Sequence, residues 1–180
     1  MTHSIEKSVR SLAVAARNGR GCLRAMLMAK AGYEIMQVRV RHGKNKQSQA
    51  FARFHRVVCD QPFDEGGSDT GMTPPELMLA ALGCCAMHYA SEYLKTRHLA
   101  PAELELRVNA EKGGHPARLT GIAIEVDAPG LGIRAREGLL KAVEACLLHR
   151  TLKDPPKVRI AMATRVLEGP PAKERVQVAS

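Results

Sequence analysis

The chain has 180 residues, of which 45% are hydrophobic, 25% charged and 3% aromatic, with no Trp and a formal charge of +9. That is enough apolar material for the core of a single domain, yet no apolar run approaches the roughly 20 residues needed to span a bilayer. Few rings are available for base stacking, so neither a membrane nor a nucleic acid is expected as a partner.

Much of the charge falls at the start. Residues 1–30 hold Lys7, Arg10, Arg17, Arg20, Arg24 and Lys30 against Glu6 alone, a basic arm with no apolar signal-peptide core. A cytoplasmic, reducing location is the expectation. The five cysteines, Cys22, Cys59, Cys84, Cys85 and Cys146, are odd in number and irregular in spacing, which argues against a structural disulfide framework.

Residues 31–167 read as the folded domain and 168–180 as a Pro-, Ala- and charge-rich tail. Residues 33–41 alternate, with Met36, Val38 and Val40 on one face and Gln37, Arg39 and Arg41 on the other, and residues 50–59 read as the hairpin partner. The segment DQPFDEGGSDTGMTPPE is dense in turn formers and predicts a long loop. Thr73 as N-cap, Pro74 at the first helical position and Glu76 three residues after the cap form a capping box. A helix follows over residues 77–95, its first half expected to be the most buried part of the fold. Residues 103–110 and 119–126 predict a second hairpin around Gly113-Gly114, residues 133–152 a second helix ended by Asp154-Pro155-Pro156, and residues 157–166 a closing strand. The order β-β-(loop)-α-β-β-α-β describes an α+β domain.

Two thiols sit within the helical patterns. Steps of three and four residues place Met78, Leu82, Cys85 and Tyr89 on one stripe and Leu77, Ala81, Cys84 and His88 on its neighbour, so periodicity does not choose between Cys84 and Cys85. Three chemistries compete for Cys85 and Cys146. They suit a redox pair cycling between dithiol and disulfide, or inert packing in a binding domain. With His88 and His149, each three residues downstream, they also make two Cys-x-x-His pairs of the kind that hold zinc.

The anchors GGSDTGMTPPELMLAALGCC and, far downstream, ACLLHRTL resemble the OsmC/Ohr family of thiol peroxidases, over roughly residues 38–164. The resemblance implies a reactive thiol eight residues after Leu77, at Cys85, and a resolving thiol at Cys146. It implies reduction of organic hydroperoxides in oxidative-stress defence through a sulfenic acid and a disulfide, with no cofactor, an external dithiol as reductant, and an interlocked homodimer around a long central helix. One feature departs from the pattern. The family's Glu two residues before the conserved Leu is replaced by Pro75, and Glu76 follows one position later, rotated by about 100° on a helix. Capping accounts for Glu76 better than catalysis, and the chain resembles a less characterised branch of the family. The arginine that would activate the thiolate is left open among Arg39, Arg41, Arg53 and Arg56, because the strand register is not fixed by sequence.

Overall fold

The computed structural model describes residues 35–162; the basic arm and the tail lie outside them. Five strands and three α-helices make an α+β fold with two small antiparallel sheets. The described residues group into two compact units, one of residues 35–81 with Val108–Ala123, the other of Leu82–Arg107 with residues 124–162.

In the first unit, β1 (Arg39–His42), β2 (Ser48–Ala52) and β3 (His55–Cys59) form a meander. The single strand expected over residues 50–59 is in fact two, because the chain reverses at Arg53-Phe54 with Ala52 opposite His55. Arg53 takes the left-handed conformation (φ 54°) that such a tight reversal demands. Neither residue is a usual turn former, so nothing local announces the turn. The register sets Arg39 opposite Phe51 and Phe51 opposite Arg56, with Arg41 opposite Gln49. Directly paired residues share a face, so Arg39, Arg41 and Arg56 lie on one side of the sheet, and Arg41 stacks over the Phe51 ring.

The loop after β3 is organised by a buried carboxylate. Asp60, 1% exposed, accepts hydrogen bonds from the backbone N–H groups of Gln61 (2.9 Å), Ser68 (3.2 Å) and Thr70 (3.2 Å) and from the Thr70 hydroxyl (2.7 Å). These donors hold its pKa below 3.8, with the Thr70 hydroxyl acting most strongly. Gly67 is required here by close approach, since a Cβ would stand 1.8 Å from the Gln61 carbonyl oxygen.

Helix α1 (Pro74–Thr96) follows. Its buried residues are Leu82, Ala86, Ala90 and Leu94, all at intervals of four. Burial is therefore spread along the helix: Leu82 and Ala86 lie in the half expected to be most buried, Ala90 and Leu94 beyond it, and Met78 near the start is 41% exposed. In the second unit Ala86, Ala90 and Leu94 pack with Ala128, Leu131, Leu139 and Val143, and with the half-buried Leu106, Ile124 and Val126 of the hairpin β4 (Glu105–Gly113) and β5 (Arg118–Asp127). Each fully buried Leu or Val in such a core is worth about 1.5–3 kcal/mol relative to exposure.

The helix expected over residues 133–152 is broken into α2 (Ile133–Glu144) and α3 (Leu147–Lys153). At the break Cys146 leaves helical geometry (φ −55°, ψ 138°). The closing strand is a further correction. Residues 157–162 are irregular, with Val158, Ile160 and Met162 at 84%, 96% and 95% exposure; residues 163–166 lie outside the described part. An alternating apolar pattern makes a strand only when a neighbour supplies the ladder, and residues 157–162 have none among the described residues.

Candidate functional site

Helix α1 begins where local chemistry dictates. The Glu76 carboxylate accepts from the Thr73 backbone N–H (2.7 Å) and hydroxyl (2.8 Å), and the Leu77 N–H closes the first turn on the Thr73 carbonyl (2.9 Å). The same two contacts, backbone first, hold the Glu76 pKa below its ordinary value. Glu76 is thus engaged as a helix cap.

Three turns further, one step of about 100° separates two sulfurs. Cys84 is exposed, whereas Cys85 is half-buried beside the Leu82–Ala86 stripe. On α2, Leu139 and Val143 are buried, and Cys146 continues that side of the helix with 0% exposure. Small residues let the two helices meet closely: α1 presents Ala86 and Ala90, and a Cβ on Gly138 of α2 would fall 2.0 Å from the Tyr93 hydroxyl oxygen.

This packing brings Cys146 against Cys85. The two sulfurs are neighbours, close enough for Cys85 to act on the Cys146 thiol, and both are reduced. Burial, first, and the neighbouring Cys85 thiol, second, push the Cys146 pKa above 9.0. The backbone amides of His149 and Leu148, at the start of α3, oppose the rise. Cys146 therefore keeps its proton in neutral solution, and Cys85 is the member of the pair that a small molecule can reach.

The histidines are placed differently. His88 is exposed, edge-on to the Tyr89 ring at 5.7 Å between centroids. The His149 Nδ1 donates to the Glu144 carbonyl at 2.7 Å. Among the described residues no three His, Cys, Asp or Glu side chains converge as a metal-ligand set, so the two Cys-x-x-His pairs do not assemble a four-ligand site there. No described helix is long and apolar enough to cross a membrane.

A family model for OsmC-like proteins matches residues 66–161, more than half of the chain and the whole stretch that carries Cys85 and Cys146. The chain belongs to the OsmC-like family. Its fold is that of solved OsmC-like structures. An osmotic stress induced and detoxification response protein, so described, from Psychrobacter arcticus superposes with a TM-score of 0.59 at 15% identity, covering 66% of this chain and 90% of that one. An OsmC-like protein from Mycoplasma pneumoniae gives 0.57 at 16% identity, over 67% and 88% of the two chains. The Legionella pneumophila organic hydroperoxide resistance protein OsmC gives 0.54 at 15%, over 67% and 90%. At these identities the likeness is one of fold. No functionally curated protein matches the sequence.

Two features escaped the reading of residues alone. Asp60 looked like one more loop residue, although an Asp facing Ser68 and Thr70 across a Gly-Gly turn carries the composition of a carboxylate nest. His149 carried a metal-ligand spacing, whereas its imidazole serves a backbone carbonyl.

Proposed function

We propose that this OsmC-like protein reduces organic hydroperoxides through a two-cysteine cycle in which Cys85 is the peroxidatic and Cys146 the resolving thiol. The observation that carries this reading is that two reduced thiols are neighbours in the core between α1 and α2, Cys85 half-buried and Cys146 fully enclosed. The Cys85 thiolate attacks the peroxide, the O–O bond breaks, the alcohol departs with a proton, and Cys85 is left as sulfenic acid. The Cys146 sulfur then displaces hydroxide from it, its own proton completing a water molecule, and a disulfide forms. An external dithiol restores both thiols by exchange and leaves as its own disulfide. The enclosed second thiol limits overoxidation of Cys85, because condensation competes with a second peroxide.

The Legionella relative named for organic hydroperoxide resistance lends the substrate class. An apolar setting favours it too, each buried methylene of an alkyl tail adding about 0.8 kcal/mol. The reducing cytoplasm suits a cycle that must return to the dithiol state. A homodimer is part of the reading: Met78 on α1 and Val38, Val40, Val158 and Ile160 elsewhere are exposed apolar side chains that a second copy can cover.

One equivalent of cumene hydroperoxide added to reduced protein is expected to consume two thiols and produce a cross-linked peptide joining Cys85 to Cys146. Cys85→Ser abolishes the reaction. Unchanged thiols after peroxide point instead to a binding domain without peroxidase activity, and a cross-link from Cys84 overturns the assignment of Cys85.

A further inference from the structure

The break between α2 and α3 is the least expected feature of the site. Its sequence, Glu144-Ala145-Cys146-Leu147, contains no Gly or Pro and its residues favour a continuous helix. At the break the helix tightens and then releases. Ala145 N–H is shared between the carbonyls of Lys141 (3.2 Å) and Ala142 (3.1 Å), Cys146 N–H bonds to Val143 O (3.0 Å), and α3 restarts with Arg150 N–H on Cys146 O (3.0 Å).

In an uninterrupted helix the Glu144 carbonyl would accept from the Leu148 N–H and the Ala145 carbonyl from the His149 N–H. Neither bond forms here, because α3 starts afresh at Leu147. The Glu144 carbonyl is not left empty, because the His149 side chain reaches back five residues and donates Nδ1–H to it at 2.7 Å. A carbonyl only accepts, so the proton resides on Nδ1. The imidazole thus substitutes for the backbone amide that a continuous helix would bring to the Glu144 carbonyl.

We propose that His149 is a positioning residue for Cys146: its Nδ1–H, held on the Glu144 carbonyl, maintains the helix break that turns the Cys146 sulfur inward against Cys85. This deepens the two-cysteine reading and rests on it for its function, while the clamp itself can be tested without peroxide. Losing the donor leaves the Glu144 carbonyl to reclaim the Leu148 amide, which straightens the helix and swings the sulfur away from its partner. Attack on peroxide at Cys85 does not involve His149. Only the second step, condensation with Cys146, depends on the clamp.

The full chain is compared with H149L, which removes the donor, and with H149N, whose side-chain amide offers an N–H at nearly the position of Nδ1. Closure of the Cys85–Cys146 pair is driven by diamide, which adds to one thiolate and leaves as the hydrazine when the second thiol closes the disulfide. It is then driven by cumene hydroperoxide, with mass-spectrometric detection of sulfinic acid at Cys85. H149L is expected to slow closure by both oxidants about tenfold, the factor carried by one ordinary hydrogen bond. It should also accumulate sulfinic acid at Cys85 and leave the first, sulfenate-forming step at the wild-type rate. H149N is expected to close within about twofold of wild type.

Wild-type closure rates in H149L overturn the proposal, as do parallel losses in both steps or a failure of H149N to restore closure. Imidazole 15N shifts of the wild-type protein give a separate check that survives a poorly folding variant, since an Nε2–H tautomer of His149 overturns the clamp. If wild-type protein closes the pair with diamide but ignores peroxide, the peroxidase reading falls while the clamp stands.

Discussion

Cys84 and Cys85 are neighbours in the chain and strangers in chemistry, because one helical step sends the first sulfur to water and the second toward Cys146. Alkylation at neutral pH should label Cys84 first, Cys85 next and spare Cys146 in the native state, as peptide mapping after a timed iodoacetamide pulse will report. The raised Cys146 pKa has a stability counterpart. A group that ionises less readily in the folded chain contributes fully below its unfolded pKa, 9.0 for this thiol, and that contribution is lost as pH rises through the higher folded value. Cys146→Ala should flatten the alkaline limb of denaturation midpoints. Asp60 works in the opposite sense. Its folded pKa lies below 3.8, so its contribution is complete above that value and fades as pH falls toward the folded one. Asp60→Asn should lower stability at neutral pH and weaken the dependence of the urea midpoint on pH below about 4.

Among the elements, what the sequence reveals depends on whether the cause is local. The start of α1 was readable because Thr73, Pro74 and Glu76 act on one another within a single turn. The turn at Arg53-Phe54 was hidden, since the strand pairing imposes a left-handed Arg where no Gly or Asn marks it. The break at Cys146 was hidden for a different reason: Leu139, Val143 and Cys146 keep helical spacing straight through it, and the interruption depends on a side chain three residues ahead. Pairing of the two sulfurs likewise belongs to helix packing, which periodicity narrowed to two candidates on α1 without deciding between them. Gly138 tests that packing. Alanine there gains about 1 kcal/mol of helix propensity, but its methyl would meet the Tyr93 ring, which also lies under the Arg97 guanidinium at 4.1 Å. Overpacking of this kind costs about 1–3 kcal/mol, so Gly138→Ala is expected to be net destabilising in urea denaturation and to slow disulfide closure.

For the whole molecule, the α+β class and the family followed from the order of elements and from two distant motifs, while the last expected strand did not form within residues 157–162. The alternation of Val158, Ile160 and Met162 that suggested it is genuine, and these side chains remain exposed. Light scattering coupled to gel filtration is expected to give twice the mass of the chain, and Ile160→Lys to shift the protein toward the single-chain mass. An active single chain at working concentration would remove the homodimer from the functional reading.

The enclosure of Cys146 has one more consequence. A covalent tie between it and Cys85 would close a ring of about 60 residues, and shrinking the freedom of the unfolded chain by that much is worth about 4 kcal/mol. The spent, oxidised form should therefore withstand denaturant better than the form ready to work. Each turnover would pass through the molecule's most durable state, and a melting curve taken without reductant would report how many molecules still await their electrons.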